Sequence, residues 1–163
     1  MICELCGKDK RKGDFLRLKT REVFVCRDCQ PYIVMNGLHF EGGVMVVPVK
    51  AASLERALKE KRYIRPWRKG AKHAAFLAFY HQGAITHVGR VKNICVKVGK
   101  DDLIGLLPKN EKWGKKEYYT IYDLAYADAL KDPIFREGKC LVQSKLRVPF
   151  AKFVKAKTVC DMV

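Results

Sequence analysis

The chain has 163 residues, of which 48% are hydrophobic, and its 33 lysines and arginines against 17 aspartates and glutamates give a formal net charge of +16. The apolar content is enough for a packed core and excludes a chain that is disordered throughout, while no apolar run approaches the roughly 20 residues that a membrane-spanning helix requires. The charge predicts a polyanionic partner, most commonly RNA or DNA, and leaves an acidic protein as an alternative; the basic segments lack the opposing apolar face that membrane binding needs.

The seven cysteines bear on metal binding and on the compartment. Four of them form two Cys-x-x-Cys pairs, Cys3 with Cys6 and Cys26 with Cys29. Paired thiolates of this kind are typical of a metal site in a reducing compartment, and no signal-type apolar run precedes the first pair, so we expect a cytoplasmic protein. The other three lie in apolar sequence and are expected to be small buried hydrophobes: Cys95, Cys140 and Cys160.

The two cysteine pairs predict a zinc ribbon over residues 1–36. Each pair forms a tight turn with both sulfurs on one side, and two such turns supply four thiolates for one structural Zn²⁺. Between them, residues 15–19 and 22–25 alternate apolar and polar side chains, as the strands of a hairpin do. A module of roughly 30 residues buries too little surface to fold alone, so the metal is expected to supply much of its folding free energy. A redox dithiol is the weaker alternative, because it needs only one pair, set before a helix.

Residues 31–43 are predicted to be a glycine-containing connector, and a second domain is predicted over residues 44–163. This domain opens with a strand at 44–50, in which Pro48 favours an edge position or a bulge. Ser53 is positioned to cap a helix that extends to about Tyr63. Glu55 and Lys59 are expected to form an i,i+4 ion pair on that helix.

Two further strands are predicted at 74–80 and 84–98, joined by a short turn that contains Gly83. Residues 118–124 and 139–146 are additional strand candidates, although the tyrosines of the first segment also fit a helical stripe. The last segment, 150–156, places its phenylalanines on one helical face and is expected to pack against the sheet. Together these elements predict an α+β domain built on a small, strongly bent sheet or barrel.

Several phrases of the second domain stand out: the strand–helix opening at 44–63, Phe76-Leu-Ala-Phe-Tyr80, Ile85-Thr-His-Val-Gly-Arg-Val91 and the closing segment 153–159. They resemble the PUA-like superfamily, in particular its EVE, ASCH and YTH branches. The resemblance implies a compact bent β-barrel with flanking helices that binds RNA or DNA, in many members with one modified or flipped base in an aromatic-lined pocket. It also implies that Trp67, Tyr80 and His87 lie near such a pocket.

The densest basic stretch, residues 50–72, surrounds Trp67. A tryptophan among cations can stack on a base, a contact worth about 1–3 kcal/mol, or it can fill the core; Tyr80 and His87 are equally compatible with buried structural roles. Trp113 is a second stacking candidate. Arg90 and Lys92 are expected to share a solvent-facing side of their strand. The predicted nucleic-acid-binding residues are Arg65, Trp67, Arg68, Lys69, Lys72, Tyr80, His87, Arg90 and Lys92.

The leading functional hypothesis is therefore a non-catalytic, zinc-containing protein that binds RNA or DNA. An enzyme that acts on nucleic acids or nucleosides is an alternative, but the aspartates of the second domain include no recognisable acid–base pair. The aspartates considered are Asp101, Asp102, Asp123, Asp128 and Asp132. A third hypothesis is an accessory subunit that binds an acidic protein within a larger nucleic-acid-processing complex.

Overall fold

The computed structural model describes residues 1–31, 33–35, 38–103 and 116–163, with the backbone alone for 33–35, 38–39 and 41–42. The strands are β1 (Gly13–Arg17), β2 (Glu22–Cys26), β3 (Ile33–Met35), β4 (Leu38–Pro48), β5 (Arg62–Pro66), β6 (His73–His81), β7 (Ala84–Gly99), β8 (Tyr118–Phe135) and β9 (Leu146–Val148). The helices are α1 (Ala51–Glu60) and α2 (Phe150–Lys155), with short 3-10 segments at Lys100–Leu103 and Val159–Asp161. No helix in the described ranges has the length and apolar character needed to cross a membrane.

Residues 1–31, called the N-terminal module below, contain a two-stranded hairpin. Strands β1 and β2 pair antiparallel, from Gly13 opposite Cys26 to Arg17 opposite Glu22. Leu16 and Val23 lie opposite each other, and both are buried. The alternating pattern thus predicted both strands correctly, because one face of the hairpin packs against the rest of the protein.

The remaining described strands form a seven-stranded mixed sheet in the order β3-β4-β6-β7-β8-β5, with β9 also paired to β4. Strands β4 and β6 are parallel, whereas β6 and β7 form an antiparallel hairpin. Its turn residues, Gln82 and Gly83, have φ angles of 49° and 78°, the positive values that a tight two-residue hairpin favours. Below, residues 38–163 are called the body.

The described strands do not close into a barrel, so the predicted bent β-barrel is wrong, while the predicted α+β class, with a sheet in place of the barrel, is confirmed. Strand β6 occupies one edge of β4, and β3 and β9 share its other edge. Strand β5 pairs with β8 and not with β4 among the described strands, so the sheet does not close between β4 and β5. Strands β7 and β8 are 16 and 18 residues long, and several register shifts along their ladder bend the sheet.

Both faces of the sheet are buried. Val44 and Phe76 contribute to a cluster that includes the apolar residues of the N-terminal module and of α2. Met45 and Leu77, their neighbours along the same strands, contribute to a second cluster with α1 and Tyr63. Because successive side chains of a strand point to opposite faces, one sheet supports the N-terminal module on one side and α1 on the other.

The structure corrects the predicted start of the body. Residues 33–35 and 38–43, predicted as part of a connector, contain β3 and the beginning of β4. Strand β4 is not an edge strand, and Pro48 is its last residue, although a register shift does occur between Glu41 and Val44. The boundaries 1–36 and 44–163 for two domains stay a prediction.

Helix α1 begins three residues earlier than predicted, with Lys50 at its N-cap and no side-chain hydrogen bond to the cap. It also ends earlier than predicted, at Glu60, and Tyr63 belongs to β5. Ser53 is buried inside the helix and is not the capping residue. The i,i+4 pair is confirmed, since Lys59 Nζ lies 2.5 Å from Glu55 Oε1.

The C-terminal part of the body differs most from prediction. Residues 118–124 belong to β8 and are not helical, because they pair with both β5 and β7. The strand predicted at 139–146 is wrong, since only Leu146 of that segment enters a strand. Cys140 there forms a disulfide with Cys160, which corrects the expectation of two separate buried thiols. Cys95 is exposed, so that expectation is wrong as well. Helix α2 is confirmed, with Phe150 and Phe153 buried.

Candidate metal centre and cationic cavity

The predicted convergence of Cys3, Cys6, Cys26 and Cys29 is confirmed. Their Sγ atoms all lie within 4.8 Å of one another, and Cys6 Sγ is 4.0 Å from Cys26 Sγ. Four sulfurs at about 2.3 Å from a tetrahedral Zn²⁺ would be separated by about 3.8 Å. The donor set therefore has the size and composition to hold a metal ion of this kind.

Backbone amides prepare this site for negative charge. The Cys26 N–H donates to Cys3 Sγ at 3.3 Å. Gly7, with φ of 69°, donates its N–H to the Cys3 carbonyl at 2.9 Å and closes the first Cys-x-x-Cys turn. Burial opposes ionisation of Cys3, but N–H donors from Cys26, Cys6 and Leu5 lower its pKa to about 7.

The sulfurs of Cys26 and Cys29 resist ionising beside Cys3. Burial raises the pKa of Cys29, and hydrogen bonds with Cys26 and Cys6, followed by repulsion from Cys3, raise it further. Burial likewise raises the pKa of Cys26. A bound divalent cation reverses this effect, because its charge stabilises all four thiolates together.

The N-terminal module is attached to the body by polar contacts as well as by the shared apolar cluster. Arg90 of β7 donates to the Glu4 carbonyl at 3.3 Å. Arg21 forms a 2.9 Å ion pair with Asp128 of β8, and its guanidinium lies 3.8 Å from the centroid of the Tyr126 ring. The position of the four cysteines is therefore coupled to strands β7 and β8.

On the body, three cations converge on a cavity of about 270 Å³. Arg65 of β5, Arg68 in the following loop and Lys145 just before β9 line it. Its apolar wall is formed by Val47 and Tyr63, among others. The described residues that line it include no aspartate or glutamate. We call this the cationic cavity.

The charges in the cationic cavity are close enough to perturb one another. Burial, and then repulsion from Arg65, Arg68 and Arg147, lower the pKa of Lys145. Burial, Arg65 and Lys145 also lower the pKa of His73. Cations that repel one another in a cavity whose described lining holds no carboxylate create a positive potential that attracts an anion.

A hydrogen-bonded aromatic pair lies behind this cavity. His73 Nδ1 and the Tyr122 hydroxyl are 3.0 Å apart, and the Arg65 guanidinium lies 5.4 Å from the Tyr122 ring centroid. Burial raises the pKa of Tyr122 to about 12, so the phenol stays neutral. The pair therefore fixes the orientation of groups beside the cavity without adding charge to it.

Trp67 is half-buried and does not line the cationic cavity. Its backbone N–H donates to the Tyr118 carbonyl at 3.0 Å, and its ring packs edge-on against the Tyr118 ring. Lys97 Nζ lies 5.1 Å from the centroids of both rings. Trp67 thus forms an aromatic and cationic surface next to the cavity; Trp113 lies outside the described residues.

The structure does not bring all the predicted binding residues together. Arg65 and Arg68 line the cavity, and Lys69, Lys72 and Lys92 are exposed. Tyr80 is 9% exposed and belongs to the apolar cluster that contains the N-terminal module. His87 is half-buried and lies 2.8 Å from Thr86 Oγ1, while burial and then Lys19 lower its pKa.

Arg90 is the clearest departure from the expected surface. Its side chain is 11% exposed and faces the N-terminal module, so the expectation that it shares a solvent-facing side with Lys92 is wrong. The physical reason is tertiary: the N-terminal module covers this part of β7 and supplies Glu4 as a partner.

Two cations of the site escaped the sequence analysis. Lys145 and Arg147 precede and enter β9, and they reach the cavity region because β9 pairs with β4, placing Arg147 opposite Met45. The alternation Lys145-Leu146-Arg147-Val148 is a period-2 signal that marks a short strand with two cations on one side. The sequence therefore indicates the short strand, but no local pattern predicts that it lies close to residues 65–68.

Comparison of the sequence with protein-family profiles and with curated proteins finds no match. Among solved structures, the chain is similar to the crystal structure of a serine-to-alanine mutant of ZmASCH from Zymomonas mobilis. The TM-score is 0.50 at 13% sequence identity, and the match covers 66% of this chain and 89% of the other. The likeness shows that the matched part of the chain shares its fold with this ASCH protein.

Proposed function

We propose that this protein binds single-stranded or locally unpaired RNA or DNA at the cationic cavity, and that its N-terminal module is a zinc ribbon with one structural Zn²⁺. The observation that carries the proposal is the convergence of Arg65, Arg68 and Lys145 on one concavity without a carboxylate among its described lining residues. The overall charge of +16 favours a polyanion over a small anion.

The electrostatics of the cavity support an anionic ligand. Three cations held near one another repel, and the lowered pKa of Lys145 reflects that repulsion together with burial. A phosphate placed among them removes the repulsion and gains charge-assisted hydrogen bonds, which for arginine are frequently bidentate. The cavity is therefore expected to be occupied by a phosphate group or by a base held next to one.

The shape of the cavity supports an unstacked nucleotide. A recess with Tyr63 and Val47 in its wall can admit a base only if that base has left a helical stack. The Trp67–Tyr118 surface beside it offers a second place for a base to stack. The PUA-like resemblance supports the same interpretation, including a flipped or modified base as the recognised group.

Zinc is the metal we propose for the cysteine site. Four thiolates close the coordination shell, so a structural role follows, in which the ion holds the two cysteine turns together. The chemistry that Zn²⁺ supplies here is charge compensation for the thiolates. A metal centre of this type has no open position for substrate.

The alternatives gain little from the structure. Two aspartates considered for acid–base chemistry are in ion pairs instead, Asp123 with Arg62 at 3.3 Å and Asp128 with Arg21 at 2.9 Å, and Asp101 and Asp102 lie in a 3-10 turn. An acidic protein partner stays a competing hypothesis for the cationic surface. It predicts co-purification that survives nuclease treatment.

Binding to single- and double-stranded RNA and DNA, with and without methylated bases, tests the proposal directly. Fluorescence anisotropy should show tight binding of single strands at low salt, and the triple variant R65A/R68A/K145A should weaken it. Losing three phosphate contacts makes the slope of log affinity against log salt shallower by about 2 for single strands. The loss of affinity between 50 and 200 mM salt should therefore be roughly 20-fold smaller for the variant than for wild type.

A matched control removes the same charge elsewhere. Lys131, Arg136 and Lys139 are exposed near the end of β8 and do not line the cavity. K131A/R136A/K139A should keep the wild-type slope to within about 0.5, because distant surface charges make no phosphate contact. Absence of binding to every nucleic acid at low salt, or equal effects of the two triple variants, would refute the assignment of the site.

A further inference from the structure

We infer that the N-terminal module extends the nucleic-acid site: the strand that enters the cationic cavity continues along a second groove, between the module and α2, where Arg27, Arg147 and Lys155 contact its phosphates. This inference rests on the proposed function. It assigns to the module a ligand-binding role in addition to its structural one, and it predicts a longer binding site than the body alone provides.

The groove lies where the module, the sheet and α2 meet, and it encloses about 760 Å³. Each of these three elements contributes one exposed cation: Arg27 from the turn after β2, Arg147 from β9 and Lys155 from the end of α2. The single acidic residue among the described lining is Asp14, and its carboxylate accepts a hydrogen bond from Gln30 Nε2 at 2.9 Å. We call this the module groove.

The floor of the module groove is backbone and apolar. A side chain in place of Gly43 would put its Cβ only 2.6 Å from the Val148 carbonyl oxygen. Strand β4 and the β9–α2 connection therefore approach each other closely only because residue 43 is glycine. This contact fixes Arg147 and α2 against the sheet, so the cations on either side of the floor are held by rigid elements.

The two sites lie on opposite faces of the β4–β9 pair and meet at β9, whose other edge has no partner among the described strands. Val44 and Val148, partners across the β4–β9 ladder, line the module groove on the face that packs against the module, whereas Val47 and Lys145 line the cationic cavity on the face that carries α1. Arg147 lies between them in sequence and is near enough to lower the pKa of Lys145. At about 3.3 Å per residue, the step from Lys145 to Arg147 is roughly 7 Å. A polyanionic strand that passes around this edge of β9 can therefore contact both sites.

Charge identifies the occupant as a polynucleotide strand. A single small anion would satisfy one of the two sites but not a series of cations drawn from the module, two strands and a helix. A flexible single strand can follow a curved cationic path while one of its bases enters the cavity, which is the mode of sequence-tolerant single-strand binding. A protein ligand with acidic side chains is the outcome that the experiment must separate from this one.

The test compares a trinucleotide with a dodecanucleotide of the same composition, using the full-length zinc-loaded chain. R27A/K155A should bind the trinucleotide within twofold of wild type, because the cavity residues and the neighbouring Arg147 are unchanged. Its salt slope for the dodecanucleotide should be lower by about 1.4. R27A/R147A/K155A, which also removes the cation nearest the cavity, should lower that slope by about 2, with affinity at low salt reduced at least tenfold.

The controls distinguish failure of the inference from failure of the proposed function. R65A/R68A/K145A should weaken both oligonucleotides, and K131A/R136A/K139A should weaken neither. If R27A/K155A keeps the wild-type dodecanucleotide slope, or weakens the trinucleotide as much as the dodecanucleotide, the module groove is not part of the path although the cavity still binds. If wild type binds neither oligonucleotide, the proposed function fails and takes the inference with it. Zinc content and the urea midpoint of each variant establish that it is folded.

Discussion

Replacing Arg90 with methionine should destabilise the protein without weakening nucleic-acid binding. Arg90 donates to the Val91 carbonyl at 2.7 Å and to the Glu4 carbonyl at 3.3 Å, and its guanidinium lies 5.8 Å from the Phe76 ring centroid. Methionine keeps the apolar stem over that ring but removes both donors and the charge beside Glu4. The variant therefore isolates the polar link between β7 and the N-terminal module.

The expected cost follows from the two hydrogen bonds. Bonds from a charged donor contribute about 1.5–3 kcal/mol each, and relief of the desolvation of a largely buried cation returns part of the sum. We expect a net loss of about 3 kcal/mol in the free energy of unfolding. For a chain of this length that corresponds to a decrease in Tm of roughly 6–12 °C.

Urea unfolding of zinc-loaded protein, followed by far-UV circular dichroism and compared at constant m value, measures this loss. R136M is the matched control: Arg136 is exposed, and its Nε donates only to Gly138, two residues away. It should remain within about 0.5 kcal/mol of wild type. If R90M is as stable as R136M, the module is not held by Arg90. If R90M loses nucleic-acid affinity while folded, the original expectation of a binding role for Arg90 is restored.

Two further predictions concern the metal and pH. Atomic absorption should find one zinc ion per chain. The variant C26S, which removes a buried candidate ligand, should abolish stoichiometric zinc and expose the amides of β1 and β2 to hydrogen exchange. Full protection of the β2 amides in metal-free C26S would contradict a metal-dependent fold. Burial, Arg65 and Lys145 hold the pKa of His73 below its usual 6.5 in the folded protein. The unfolded chain therefore binds the proton more readily. The contribution of His73 to the free energy of unfolding is fully present above pH 6.5 and is lost as the pH falls through the lowered pKa. The variant H73Q should therefore show a smaller decline of the urea midpoint between pH 7 and pH 5 than wild type. H87Q serves as a comparison, because burial and Lys19 also lower the pKa of His87. An unchanged pH profile in H73Q would show that His73 does not cause the decline.

Local patterns predicted the local structure well. The cysteine spacing and the alternation in residues 15–25 depend on neighbours in sequence, and the hairpin and the four-sulfur cluster both follow the prediction. The strands at 74–80 and 84–98 were found for the same reason. Segment 118–124 could not be assigned from its tyrosines, because only pairing with β5 and β7 makes it a strand.

What depended on distant contacts was missed. Strands β3 and β9 both pair with the edge of β4 that lies opposite β6, an arrangement that no single segment reveals. Lys145 and Arg147 enter the site through that same pairing. Arg90 looks like an exposed strand residue until the N-terminal module is placed over it. The disulfide partner of Cys140 likewise lies 20 residues further along the chain.

That covalent link between Cys140 and Cys160 makes the intervening segment a closed ring, and β9, α2 and three of the proposed phosphate contacts lie on it. A ring of this size removes about 3 kcal/mol of chain entropy from the unfolded state in the simple polymer description. The bridge therefore reduces the chain entropy that fraying of the C-terminus would gain, which favours the folded arrangement of Lys145, Arg147 and Lys155. The thiol–disulfide balance of the surroundings thus sets how firmly one wall of the nucleic-acid path is held.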